Sequence, residues 1–181
     1  MDEVSARLAA VAPSAVEVPE GKRRAAVLIP LYVRDGALWV LLTRRTDTVE
    51  HHRGQISFPG GAAEKGDETL LATAIRETEE ELGIAARDVR VLGALSPLAT
   101  VTEFYVEPFV GAIPYPYPLR PAEAEIAELV AVPVPAVLDP DALEQRVLPG
   151  RTEPTLFYHY GGHVIWGATA RMLKELLDVL E

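Results

Sequence analysis

Apolar residues are spaced along this chain in two rhythms, and the change between them marks its elements. "AAVLIPLYV" (25–33) and "ALWVLLTRR" (37–45) are branched, nearly continuous apolar runs separated by "RDG". Such runs read as strands, and the short polar break between them reads as a hairpin turn. Residues 46–61 lack a clear period and end in "FPGG", which predicts a loop entering a short strand around "QISF". From Asp67 to Leu82 the period lengthens. Leu71, Ala74, Ile75, Thr78 and Leu82 fall on one helical stripe, with Asp67 as the expected N-cap and Gly83 as the stop. Strand patterning returns in "VRVLGAL" (89–95) and "EFYVEPFVGAI" (103–113).

The remaining segments are more varied. "YPYPLRPAE" is a proline-rich loop, and "EIAELVAVPV" fits neither period well. "PAVLDPDALEQ" reads as a short helix, and "TLFYHYGGHVIWG" as a second hairpin turning at Gly161 and Gly162. "ATARMLKELLDVL" closes the chain as an amphipathic helix. Residues 3–11 suit another short helix, followed by a linker-like "APSAVEVPEG". Hairpins mixed with helices predict an α+β fold, an α/β/α sandwich in which a mixed sheet carries helices on both faces. The expected organisation is an N-terminal extension over 1–24 and a single domain over 25–181.

Composition narrows the function. The 181 residues are enough for one domain with its own core. There are no cysteines, which excludes a disulfide scaffold, a thiolate zinc site and a cysteine nucleophile. A net charge of −10 argues against nucleic acid as a partner, because that binding needs a basic surface. A small polyanion remains compatible if bound cations or a local basic patch invert the field. No stretch approaches the roughly 18 apolar residues of a membrane span, and the N-terminus lacks a signal-like apolar core. A cytoplasmic protein with no membrane partner is expected.

One stretch stands out chemically. "RETEEELG" (76–83) places Glu77, Glu79, Glu80 and Glu81 within five positions. At about 100° per residue, Glu77 and Glu81 lie about 40° apart and Glu80 about 60° to the other side of Glu77. Those three share a face beside the apolar stripe, while Glu79 points elsewhere. Clustered carboxylates raise one another's pKa or bind a cation, and hard oxygen ligands suit magnesium or manganese. A solvated acidic face is the competing explanation. The glycines of "FPGG" stand one loop upstream, where Gly60 and Gly61 either make a plain turn or let the backbone approach a diphosphate and its metal. The nearest basic groups in sequence are Arg44, Arg45, His52 and Arg53, candidates for meeting a phosphate.

Together, "GGAAEKGDETLLATAIRETEEELGI" resembles a Nudix box. Arg76, Glu77, Glu80, Glu81, Gly83 and Ile84 match that pattern in register, and Glu68 matches its first glutamate. Ala62 occupies the slot of the leading glycine, because Gly61 lies one residue too far upstream, and Thr78 stands where an apolar residue is usual. That extra residue is similar to the coenzyme A pyrophosphatase branch. "LLTRRTDTVEHHRGQISFPGG" (41–61) resembles the same branch's upstream signature through Leu41, Leu42, Thr43, Arg45, His52, Gly54, Gln55 and Phe58 to Gly61. It departs at Glu50, where the branch usually carries arginine, and at Thr46; Arg53 is the neighbouring candidate to stand in for that arginine.

The resemblance implies divalent-metal-dependent hydrolysis of coenzyme A to 3′,5′-ADP and 4′-phosphopantetheine. It implies Glu77, Glu80 and Glu81 as ligands of Mg2+ or Mn2+, and Arg76 as the arginine that orients a neighbouring glutamate. In many relatives a general base comes from a loop outside the box or from the box itself. "EAEIAE" (123–128) offers Glu123, Glu125 and Glu128, of which Glu125 is the choice made here. Tyr115 and Tyr117 are weaker candidates for stacking on adenine, and His159 and His163 flank a hairpin turn as surface groups. Two rival functions remain open. One is a Nudix pyrophosphatase for another nucleoside diphosphate derivative such as ADP-ribose or NADH. The other is a non-catalytic nucleotide-sensing domain.

Overall fold

A computed structural model describes residues 1–11, 21–46, 54–100 and 103–181. The two long apolar runs form β1 (Arg23–Arg34) and β2 (Ala37–Arg45), an antiparallel pair in which Arg34 faces Ala37. Asp35 and Gly36 make the turn with φ of 50° and 77°, the primed geometry whose twist suits a two-residue hairpin. β1 is buried on both sides, which is why its sequence does not alternate. Ala25, Ile29 and Leu31 enter the main core, while Ala26 and Leu28 meet Leu70 and Ala74 on the opposite face.

β1 is the central seam. It runs parallel to β7 (Phe104–Ala112), from Arg23 opposite Phe104 to Leu31 opposite Ala112. Its other edge is divided between β2, at Leu31–Arg34, and β4 (Gly60–Ala62), at Ala25–Val27. β2 likewise leaves β1 and takes up β3 (Ile56–Ser57) at Thr43 and Arg44. The "FPGG" segment therefore wedges between two strands that diverge. β8 (Ile126–Pro133) lines the outer edge of β2, and β5 (Arg90–Ala94) and β6 (Leu98–Ala99) pair with β7. A separate antiparallel sheet contains β9 (Leu143–Val147), β10 (Pro154–Tyr160) and β11 (His163–Trp166).

Helices cover both faces, giving the expected α+β fold. α2 (Leu70–Leu82) packs on one face of the large sheet. α4 (Gly167–Leu180) buries Ala170, Leu173, Leu176 and Leu177 in the core on the other. α1 (Asp2–Ala10) joins that core through Val4 and Leu8, and the Ser5 hydroxyl donates to the Leu92 carbonyl at 3.0 Å. Each fully buried leucine contributes roughly 2 kcal/mol of transfer free energy. Among the described residues no helix is long and apolar enough to cross a membrane.

Three expectations are corrected. α2 starts at Leu70, and its N-cap is Thr69, whose hydroxyl accepts from the Ala72 amide at 3.1 Å; Asp67 is occupied elsewhere. The buried side of α2 is Leu70, Thr73, Ala74, Thr78, Glu81 and Leu82, with Leu71 and Ile75 at its margin. The helix is thus rotated toward its own carboxylates, because Glu81 has partners in the sheet. "PAVLDPDALEQ" is not one helix. α3 (Val134–Leu138) ends at Asp139, whose carboxylate accepts from the Asp141 amide, and a 3₁₀ turn over Pro140–Ala142 leads into β9. The ambiguous "EIAELVAVPV" is strand β8, held by the edge of β2.

Candidate active site

Glu81 is only 4% exposed. Its Oε2 accepts from the Gly60 amide and its Oε1 from Arg45 Nη2, both at 3.2 Å. Burial pushes its pKa up to about 7, against the opposing pull of Arg45 and the Gly60 amide. Glu77, one turn earlier, is half-buried against Gly61, where a Cβ would stand 2.6 Å from the Glu77 Cδ. Burial raises the Glu77 pKa as well. Arg76 opposes the rise, and the charges of Glu80 and Glu125 add to it. Glu80 lies on the outer flank, 60% exposed.

Gly60 and Gly61 have different tasks. Gly60 has φ of 154°, and a Cβ there would fall 2.3 Å from the Ala26 carbonyl oxygen. That position lets the loop lie flat on β1 and aim its amide at Glu81. Gly61 instead leaves room for the Glu77 carboxylate.

Arg76 ties the helix to the loop. Its Nε and Nη2 donate to the two oxygens of Asp67 at 3.1 and 3.0 Å, a bidentate pair. Nη1 reaches Glu77 at 2.9 Å and Glu80 at 3.2 Å, and Nη2 also reaches the Ala62 carbonyl at 3.3 Å. Asp67 in turn accepts from the Glu64 amide and the Thr73 hydroxyl, both at 2.9 Å. The Arg76 hydrogen bond, helped by these donors, holds the Asp67 carboxyl well below the usual range. From its spacing alone, Asp67 is expected only to cap the helix. Its bidentate role depends on the loop folding back over nine residues, and no local spacing signals that.

The far end of α2 is held by the proline-rich segment. The Arg120 and Ala122 amides donate to the Leu82 and Glu81 carbonyls at 2.8 and 2.9 Å. The Tyr117 hydroxyl accepts from the Ala85 amide at 3.0 Å and donates to Asp88 at 2.8 Å, so this ring is a strut. Tyr115 stacks on Tyr32 with ring centres 5.0 Å apart. Glu125 follows at the surface; its carbonyl accepts from the Thr46 amide at 2.8 Å, and its side chain is exposed.

The other named residues divide plainly. Arg45 joins the carboxylate group through Glu81. Arg44 is engaged elsewhere: its Nε donates to Glu128 at 2.9 Å, and His163 meets the same carboxylate at 3.2 Å. Arg44 therefore braces β2 against β8 and β11. His163 is half-buried in that contact, while His159 is exposed beside Glu144. Glu68 lines a cleft of about 460 Å3 at the N-terminal end of α2, away from Glu81. His52, Arg53 and the departure at Glu50 lie outside the described residues.

Among the described residues no three carboxylates or histidines already converge as a finished cation site. The donor set nevertheless fits a hard divalent ion. Glu77 and Glu81 are largely shielded from water, the charge of Glu77 raises the Glu81 pKa while those of Glu80 and Glu125 raise that of Glu77, and the missing Cβ of Gly61 opens the space at the Glu77 carboxylate. A cation there relieves repulsion that the arginines offset only in part.

A NUDIX domain model matches residues 22–149. The chain belongs to the Nudix family. It is 37% identical over 171 residues to a Photorhabdus laumondii protein described as an uncharacterized Nudix hydrolase, NudL, covering 93% of this chain and 91% of that protein. A second NudL protein, from Yersinia pestis, is 38% identical over 156 residues, covering 85% of this chain and 78% of that protein. Among solved structures it is similar to the M. smegmatis Nudix hydrolase RenU, at 26% identity and a TM-score of 0.54, covering 66% of this chain and 75% of that one. Nudix hydrolases generally use divalent metals, in keeping with the donor set around Glu77 and Glu81.

Proposed function

We propose that this Nudix protein hydrolyses the diphosphate bond of coenzyme A or its derivatives with Mg2+ or Mn2+, giving 3′,5′-ADP and 4′-phosphopantetheine. The observation that carries a hydrolytic reading is the buried Glu81 carboxylate, pinned between the Gly60 amide and Arg45 and adjoining Glu77. A carboxylate whose pKa is shifted by burial beside a specific charge partner is a recurrent mark of a functional site. The coenzyme A reading rests on the resemblance of residues 41–61 and on the one-residue displacement of "FPGG".

Each residue has a defined task in this reading. Glu77, Glu80 and Glu81 would hold the cations, which would supply charge to neutralise the phosphate oxygens and a water of lowered pKa. Arg45 fixes the rotamer of Glu81, and Arg76 fixes Glu77 while reaching Glu80. The Gly60 amide is already taken by Glu81, so its contribution is to position that carboxylate. Glu125, exposed beside the group, accepts the proton of the attacking water.

Product analysis tests the proposal. Coenzyme A, ADP-ribose and NADH are compared by kcat/KM with magnesium or manganese. Preference for coenzyme A with release of 3′,5′-ADP is expected; preference for ADP-ribose would replace the substrate and keep the chemistry. Glu81→Gln should lower kcat by about 10²–10³ while leaving a cooperative thermal transition. Near-normal turnover in that variant would remove the carboxylate from the mechanism.

A further inference from the structure

Among the described residues, the small sheet has an open edge. β9 is bonded to β10 on one side only, and among the described residues no other backbone group bonds to it. Glu144, Gln145, Arg146 and Val147 are all exposed, Val147 at 58%. On one face of the sheet, Arg146 lies 4.7 Å over the Phe157 ring, Phe157 stacks on Trp166 at 6.2 Å, and Glu144 meets His159 at 3.0 Å. Leu143 and Val147 alternate to the other face.

Exposed edges are usually protected from their own kind by prolines, by lysines or by charges that repel a second copy. β9 carries the opposite arrangement. Its two charges differ in sign and stand two residues apart on one face, so a second β9 laid antiparallel about Gln145 sets every residue against one it suits. Glu144 faces Arg146 of the other copy, twice by symmetry, and Leu143 faces Val147 twice. Parallel pairing would put like charges together. Cross-strand pairs of opposite charge and of aliphatic side chains stabilise a sheet, and like charges directly opposite weaken it.

We propose that the β9 edge is a self-recognition surface, on which two copies of this chain join their three-stranded sheets into one six-stranded sheet about a two-fold axis at Gln145. The contact is isologous and closes at two copies, so it forms a dimer and not a filament. Its small area makes the dimer weak and reversible.

Sedimentation velocity on the full chain from about 1 to about 300 µM measures this, in the range where such small interfaces act. Wild-type protein should pass from monomer to dimer across that range. Glu144→Arg and Arg146→Glu each turn two attractive pairs into two repulsive ones and should raise the dissociation constant about tenfold or more. The double exchange, Glu144→Arg with Arg146→Glu, restores complementarity and should recover dimerisation. Hydrogen exchange on the wild-type chain supplies a reading that does not depend on variants: the β9 amides should slow as concentration rises. A wild-type chain that stays monomeric throughout overturns the proposal. So do single variants that dimerise as well as wild type, a double exchange that fails to rescue, or β9 amides indifferent to concentration.

Discussion

At the scale of single residues, the two adjacent glycines separate folding from chemistry. Gly61→Ala puts a methyl group against the Glu77 carboxylate, which can swing away only by leaving Arg76. The expected outcome is a stability loss of about 1–2 kcal/mol by urea unfolding, with a fall in kcat of about tenfold or more. Gly60→Ala meets the Ala26 carbonyl, which belongs to the central strand and cannot yield, at a φ that side chains rarely adopt. That variant should lose about 3 kcal/mol or more. Equal stability losses in the two would remove the distinction. "FPGG" was legible as a glycine bend near carboxylates. Which glycine faces the sheet and which faces Glu77 was not, because each is defined by an element far away in sequence. Glu81 was legible as an acid of the cluster, but its burial was not: a helical wheel gives angles and no neighbours.

At the scale of elements, α2 is fastened at both ends by groups outside it. Thr69→Ala removes the hydroxyl that accepts from Ala72 and should cost about 1 kcal/mol with little change in turnover. Asp67→Asn breaks the bidentate hold on Arg76 and should lower kcat about tenfold, at an unchanged preference among diphosphate substrates. Steady-state kinetics on both variants distinguish a cap from an orienting group. Long elements with strong periods, β1, β2, α2 and α4, were readable from the chain. β8 was not, because its identity comes from lying along β2, and the stretch 135–145 was misread because Asp139 and Pro140 break a helix that apolar spacing alone would continue. The stripe on α2 was legible at Ala74, Thr78 and Leu82 but not at its edge, where Leu70, Thr73 and Glu81 are buried in place of Leu71 and Ile75; no hydrophobic pattern can anticipate a buried Glu81.

At the scale of the whole molecule, the raised pKa of Glu81 links folding to pH and to cations. The folded value of about 7 exceeds the ordinary 4.5, so between those values the native state binds more protons than the unfolded one. Stability of the metal-free protein should therefore fall as pH rises through that window, by roughly 3 kcal/mol from this group. Saturating magnesium or manganese should restore it, raising the thermal midpoint most above pH 7 and little near pH 5. A midpoint indifferent to divalent ions at pH 8 would contradict the assignment of the carboxylates. Layering was foreseeable from hairpins alternating with helices. Strand order was not, because β1 takes a parallel neighbour far downstream, with Arg23 opposite Phe104 and Leu31 opposite Ala112.

That choice of neighbour governs what can be cut from the chain. Everything that touches a diphosphate in this proposal, save Glu125, is encoded before residue 82, yet the platform beneath it needs Phe104–Ala112 along the far side of β1. A nascent or truncated polypeptide ending after α2 would possess the reactive groups and no bed to lay them on. The motif cannot be transplanted as a cassette, and catalytic competence must arrive late in synthesis, all at once.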